Sequence, residues 1–205
     1  MPTSQLPEEW PSPGGGTAAA KLALRDRLVT TRRRRSLAEI GESAGAIADH
    51  LLASDEVRRS ATVAAYVSIG TEPGTTRLLD DLLAVGKRVV LPVLLPDNDL
   101  DWAVYSGPTS LTRAGRGLLQ PLGTTLGVEA VATADAVLVP GLAVSPTGMR
   151  LGRGGGSYDR TLARVPVGTF TCVLLYDDEV GVDVPAEAHD RRVAAACSPA
   201  GIRRF

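Results

Sequence analysis

The stretch Ala136-Val137-Leu138-Val139-Pro140-Gly141-Leu142-Ala143-Val144-Ser145-Pro146-Thr147-Gly148-Met149-Arg150-Leu151-Gly152-Arg153-Gly154-Gly155-Gly156-Ser157-Tyr158-Asp159-Arg160 decides the fold. Ala136 to Val139 is an unbroken apolar run, as expected of a strand covered on both faces. Pro140-Gly141 ends it. A helix is expected from about Ser157 to Arg164, and a second buried strand from Thr169 to Tyr176. Strand, glycine-rich loop, helix and strand in that order predict a parallel sheet flanked by helices.

The preceding residues repeat the alternation. Thr62 to Val67 is β-branched and apolar, a buried strand. Thr75 to Val85 carries helical spacing through Leu78, Leu79, Leu82 and Leu83, with Gly86 as a stop. Arg88 to Leu95 returns to strand, with Pro92 marking a strand end or edge. A turn at Asp97-Asn98-Asp99 leads into a strand from Leu100 to Tyr105. Nearer the start, Ala18 to about Thr31 has helical composition with Leu22, Leu24 and Leu28. Ser36 and Glu39 fit a capping box for a second helix reaching about Leu52, with Leu37, Ile40, Ala44, Ile47 and Leu51 on one face. The Arg32–Arg35 cluster between them reads as a solvated helix end whose cations suit the dipole. The expectation is an α/β fold: a single three-layer domain over 18–205 with a mainly parallel sheet flanked by helices, after a disordered tail over 1–17.

Composition bounds the function. With 44% apolar and 22% charged residues the chain is ordinary globular material. A net charge of −1 gives no global attraction to nucleic acid or anionic membrane, so neither is expected as a partner. No apolar run is long enough to span a bilayer, and the opening residues lack a signal-peptide core. The cytoplasm is the expected location. Cys172 and Cys197 are too few for a disulfide framework, and Cys172 reads as a small buried hydrophobe.

The chemistry concentrates between Arg150 and Asp159. Glycine loses the most freedom on folding, so this density marks a backbone that approaches a ligand or adopts positive φ. Successive N–H groups can then converge on an anion, aided by the positive end of the following helix. Arg150 and Arg153 add permanent, fork-shaped donors for phosphate oxygens, and Asp159 adds a hard oxygen of the kind Mg²⁺ takes. The segment is not a P-loop, since no Gly-Lys-Ser/Thr occurs. Nor is it a dinucleotide fingerprint, since Ser157 stands where the third glycine is due.

The run Arg150-Leu151-Gly152-Arg153-Gly154-Gly155-Gly156-Ser157-Tyr158-Asp159 closely resembles the signature of the 5-formyltetrahydrofolate cyclo-ligase family, also called methenyltetrahydrofolate synthetases. The resemblance extends over most of the chain after the tail. Lys21-Leu22-Ala23-Leu24-Arg25 is similar to the family's N-terminal Lys-x-x-Leu-Arg, whose cations touch ATP phosphates. Tyr66-Val67-Ser68 with Glu72 and Thr75 resembles the strand and loop lining the folate pocket, which implies that Val67 contacts the substrate and Glu72 hydrogen-bonds the pterin. Pro185 to Asp190 resembles the segment carrying a second Mg²⁺ aspartate, a role that passes to Asp190. His189 is read as structural, and Trp102 as core packing.

The resemblance thus implies ATP-dependent cyclisation of 5-formyltetrahydrofolate to 5,10-methenyltetrahydrofolate, with release of ADP and phosphate. ATP would be held by Lys21, Arg25, Arg150, Gly152, Arg153, Gly154, Gly155, Gly156, Ser157 and Tyr158. The folate would be held by Val67, Glu72 and Ser157, and Mg²⁺ by Asp159 and Asp190. Arg150 and Tyr158 would act in catalysis, in a monomer. Four departures stand out. Gly155 lies where some members carry Lys, and Ser157 replaces an aromatic. Gln120-Pro121 stands where Glu-Pro is usual, and Ala194 where an aspartate is common. A non-catalytic nucleotide or folate binder, or a sugar-phosphate isomerase-like protein, are the alternatives.

Overall fold

The computed structural model describes residues 15–205, apart from the Arg116 side chain. Among the described residues five α-helices form: α1 (Gly15–Arg32), α2 (Leu37–Ala53), α3 (Asp55–Arg59), α4 (Thr76–Ala84) and α5 (Ser157–Arg164). The strands are β1 (Thr62–Ala64), β2 (Arg88–Leu94), β3 (Leu100–Tyr105), β4 (Leu111–Arg113), β5 (Leu119–Pro121), β6 (Ala136–Pro140), β7 (Ala143–Val144), β8 (Arg150–Leu151), β9 (Phe170–Leu174), β10 (Ala195–Ser198) and β11 (Gly201–Arg204). Seven of them build one sheet in the order β11-β10-β9-β6-β1-β2-β3. The five inner strands are parallel, while β3 and β11 pair antiparallel at the two edges.

Successive strand residues point to opposite faces, and the core divides accordingly. Val63, Val89, Leu138 and Cys172 pack with Ile47 and Leu51 of α2 and with Leu78, Leu79 and Leu82 of α4. Their neighbours Ala64, Val90, Val137 and Val173 pack on the other face with Trp102, Val131 and Leu162 of α5. This is the expected three-layer α/β arrangement, and Trp102 and both cysteines are buried in it.

The chain leaves β1 through α4 toward β2, but leaves β6 through α5 toward β9 on the other side. The connection direction therefore reverses between β1 and β6, which are hydrogen-bonded neighbours. In such sheets a crevice opens beyond the carboxyl ends of the strands at this reversal. Tyr66 and Val67 continue from β1, and Pro140 and Gly141 close β6, so both reach that crevice.

Several expectations need correction. Of the span expected as a tail, 1–14 lie outside the described residues, and Gly15–Thr17 form the first turn of α1. Arg32 is not a solvated helix end: it is buried, and its guanidinium pairs with Glu179. Arg35 pairs with Asp178 and lies over the Tyr176 ring. The capping box is present, but Leu37 is 88% exposed; the buried stripe of α2 is Ile47, Ala48 and Leu51. The first strand is shorter than Thr62–Val67. Pro92 lies inside β2, opposite Trp102, but past Val90, the last residue of β2 paired to β1. Its missing N–H falls where the pairing with β1 stops. The minor hairpins β4–β5 and β7–β8 and the C-terminal pair β10–β11 were not anticipated.

Candidate functional site

Two adjoining cavities occupy the crevice. The larger, about 400 Å³, is lined by the segment after β1 (Tyr66, Val67, Glu72), by the end of β6 and by the glycine loop. Leu118, Leu119 and Gln120 of the β4–β5 hairpin cover it. The smaller, about 240 Å³, lies between α1 and the loop and contains Lys21, Arg25, Glu187, His189 and Asp190. Arg150, Gly152, Gly154, Gly156 and Asp159 line both. The loop is a partition.

Local geometry explains the glycines. Gly154 and Gly156 have φ of 98° and 71°, a region L side chains rarely adopt. At Gly152 the constraint is contact: a Cβ would sit 2.7 Å from Arg150 Nη1. Gly156 is also the N-cap of α5 and supplies no side-chain acceptor, so the first amides of that helix remain donors for an anion.

Arg150 is buried, donating from Nη1 to Pro140 O at 3.2 Å and from Nη2 to Asp159 Oδ1 at 3.0 Å. Arg25 Nε donates to Gly152 O at 2.9 Å, fixing the loop to α1. Lys21 Nζ donates to Glu187 Oε2 and Asp190 Oδ2, each at 2.6 Å. Burial pushes the Asp190 carboxyl upward, but the Lys21 ammonium and the Glu187 N–H outweigh it and hold the group below the ordinary range. On the larger cavity, Arg153 Nε reaches Glu72 Oε1 at 3.2 Å, while Glu72 Oε2 accepts from Ile69 N. Desolvation, reinforced by Glu72, pushes the Tyr158 phenol up despite nearby Arg150. It stays protonated at neutral pH and can donate a hydrogen bond.

The expected residues thus come together from four separate parts of the chain. Val67, Glu72 and Ser157 line the larger cavity, Lys21, Arg25 and Asp190 the smaller, and Arg153, Gly155 and Tyr158 the loop side of the larger one. Glu187 was missed, although it sits two residues from His189 in the quoted C-terminal segment. His189, expected to be structural, is exposed, with Nε2 3.7 Å from Asp190 Oδ1 and 3.9 Å from Glu187 Oε2. The ligand-type atoms of Glu187, His189 and Asp190 lie within 4.8 Å of one another. Asp159 stands outside that group but lines the same cavity. Carboxylate oxygens from Asp159, Glu187 and Asp190 are the hard donors that Mg²⁺ takes beside phosphates, so the residues fit that ion.

The model of the 5-formyltetrahydrofolate cyclo-ligase family matches residues 17–199. The chain belongs to this family. A relative from Mycolicibacterium smegmatis named 5-formyltetrahydrofolate cyclo-ligase is 43% identical over 143 residues, which span 67% of this chain and 73% of the relative. The Escherichia coli K12 protein of the same name is 30% identical over 184 residues, 83% of this chain and 97% of its own. Among solved structures, Aquifex aeolicus 5,10-methenyltetrahydrofolate synthetase superposes with a TM-score of 0.78 at 27% identity, covering 90% of this chain and 92% of that one. A Mycoplasma pneumoniae 5,10-methenyltetrahydrofolate synthetase, 20% identical with a TM-score of 0.70, shares the fold. No helix among the described residues is long and apolar enough to cross a membrane.

Proposed function

We propose that this chain is a 5-formyltetrahydrofolate cyclo-ligase, converting 5-formyltetrahydrofolate and ATP into 5,10-methenyltetrahydrofolate, ADP and phosphate. The observation that carries this reading is the partition: a large, mostly apolar cavity and a smaller cation-bearing one meet at Arg150, Asp159 and the glycine loop. The larger suits a reduced pterin, with Val67 against the ring and the Glu72 carboxylate accepting from its N–H edge. The smaller suits a polyphosphate, held by Lys21, Arg25, the loop amides and the first amides of α5.

The chemical difficulty is that the N-formyl oxygen is amide-like and a poor leaving group. Transfer of the γ-phosphoryl group to that oxygen, with ADP departing, makes it a good one. N10 of the folate then bonds to the formyl carbon and gives up its proton. The C–O bond breaks and phosphate leaves, closing the ring. Such transfer needs positioning and charge stabilisation more than covalent help from the protein. Arg150, facing both cavities, is placed to neutralise charge on the transferring group. Tyr158, on the larger cavity's side of the loop, would donate a hydrogen bond to the substrate, and Arg153 and Ser157 would complete the loop around it. Mg²⁺ would be held by Asp159 and Asp190, with Glu187 beside them, and would offset phosphate charge. Lys21 and the carboxylates it now pairs with would exchange partners when Mg-ATP enters. The reading places the enzyme in the cytoplasm as a monomer.

Purified protein given 5-formyltetrahydrofolate and Mg-ATP, with no other enzyme, should develop the methenyl chromophore. A flat absorbance trace at generous enzyme concentration rejects catalysis by this route. Tight calorimetric binding of both ligands without turnover would point to a non-catalytic binder.

A further inference from the structure

Little apolar surface holds α1 in place, although it carries Lys21 and Arg25 to the smaller cavity. Its buried hydrophobic residues are Leu24 and Leu28, packed with Leu142, Ala143, Leu151 and Val184. Its other buried side chains are two cations, Lys21 and, at the last residue, Arg32. Apolar contact is non-directional, so Leu24, Leu28 and the partly buried Val29 leave the axial and rotational setting of the helix to its polar contacts, which near the cavity are those of Lys21 and Arg25.

Arg32 supplies direction. Its Nε donates to Glu179 Oε1 and its Nη2 to Glu179 Oε2, both at 2.7 Å, and Nη2 also reaches Gly141 O at 2.7 Å. Such a two-pronged pairing fixes distance and orientation together. Glu179 is itself held, accepting from Tyr176 N at 3.0 Å. Gly141 opens the segment that becomes the β7–β8 hairpin, where Leu142 N donates to Leu151 O at 2.7 Å. That hairpin presents Arg150 and the glycine loop. The backbone at Gly141 is packed closely against β9: a Cβ there would lie 2.6 Å from Val173 Cγ2.

Spacing completes the argument. Lys21, Arg25, Leu28 and Arg32 recur at i, i+4, i+7 and i+11, a single stripe along the helix. At about 1.5 Å per residue, Arg32 lies about 10 Å beyond Arg25; it lines neither cavity itself, although Gly141, whose carbonyl it holds, lines the larger. A buried ion pair contributes little net stability compared with a well-packed apolar replacement, and its best-attested use is to specify geometry.

We infer that Arg32, held by Glu179, is a positioning residue that sets α1 against the glycine loop so that Lys21 and Arg25 meet a polyphosphate. This rests on reading the smaller cavity as the nucleotide site. The test titrates inorganic tripolyphosphate and, separately, 5-formyltetrahydrofolate into wild type, the double variant Arg32→Met/Glu179→Gln, and Arg32→Lys. The double variant leaves no lone buried charge, and Arg32→Lys keeps the charge but loses the fork, so either folded variant decides the matter. Tripolyphosphate should bind about tenfold more weakly while the folate affinity stays within about twofold, and KM for ATP should rise with kcat little changed. Arg33→Ala, at an exposed neighbour, should alter neither. Unchanged tripolyphosphate affinity, or parallel weakening of both ligands, overturns the inference. Wild type that binds tripolyphosphate but makes no methenyl product refutes the catalytic reading alone; wild type that does not bind it overturns both.

Discussion

Arg150 Nη2 donates to Asp159 Oδ1 across 3.0 Å, so the cation and the carboxylate that back both cavities neutralise each other in the free protein. Each is thereby fixed before a ligand arrives. Arg150→Lys keeps the charge but cannot hold Pro140 O and Asp159 at once, and should raise KM for ATP about tenfold. Asp159→Asn removes a hard ligand and leaves a buried guanidinium without its counter-charge. It should lower turnover by about two orders of magnitude and blunt the response to added Mg²⁺. Steady-state assays across Mg²⁺ concentration check both.

The three consecutive glycines are not equivalent. A Cβ at Gly154 or Gly156 would force an L residue into positive φ, at about 1–2 kcal/mol each. Gly155 has no such φ, and a Cβ there meets only Ser157 Oγ at 3.6 Å. Gly155→Ala should therefore keep activity within about twofold, while Gly154→Ala and Gly156→Ala lose about tenfold or more. Equal tolerance at all three would refute the account.

Glu72 is buried, and Arg153 caps one of its oxygens. Glu72→Gln should raise KM for the folate about tenfold and leave KM for ATP near wild type. An ATP effect of the same size would move Glu72 out of the pterin site.

Asp99 receives both Nη atoms of Arg164, at 2.9 and 2.6 Å. The Arg164 hydrogen bonds, working against burial, hold its carboxyl below the ordinary 3.8. The stabilisation is complete above that ordinary value and is lost as pH falls through the lower folded-state value. Thermal midpoints should therefore drop on acidification below about pH 4 in wild type. In Asp99→Asn the midpoint should be lower at pH 7, and this part of the acid slope should disappear.

Burial pushes the Cys197 thiol up to about 12 and the Cys172 thiol well above its usual value. Neither should react with a thiol reagent in the native protein, and both should react in denaturant. Fast native labelling would contradict the core described here.

Elements with a local cause are legible in the sequence. The bounds of α5 follow from Gly156 and an eight-residue apolar and charged pattern, and the α2 start follows from Ser36 and Glu39 meeting three residues apart. The apolar run Ala136–Val139 gave away β6. Contacts between distant residues left no such trace. Arg32 and Glu179 are 147 positions apart, and nothing in a row of four arginines tells that Arg33 and Arg34 face water while Arg32 does not. Leu37 fits the helical stripe in spacing, but as the first residue of α2 it stays exposed. The residues chosen through the family motif line the two cavities, whereas Glu187 depended on how the last loop folds back to Lys21.

Because one wall of glycines, an arginine and an aspartate serves two compartments, the compartments cannot be redesigned separately. A substitution chosen to admit a bulkier guest on one side displaces the surface the other guest rests on. Changes in ligand preference should accumulate on the outer walls, such as the β4–β5 hairpin, where each compartment has a boundary of its own.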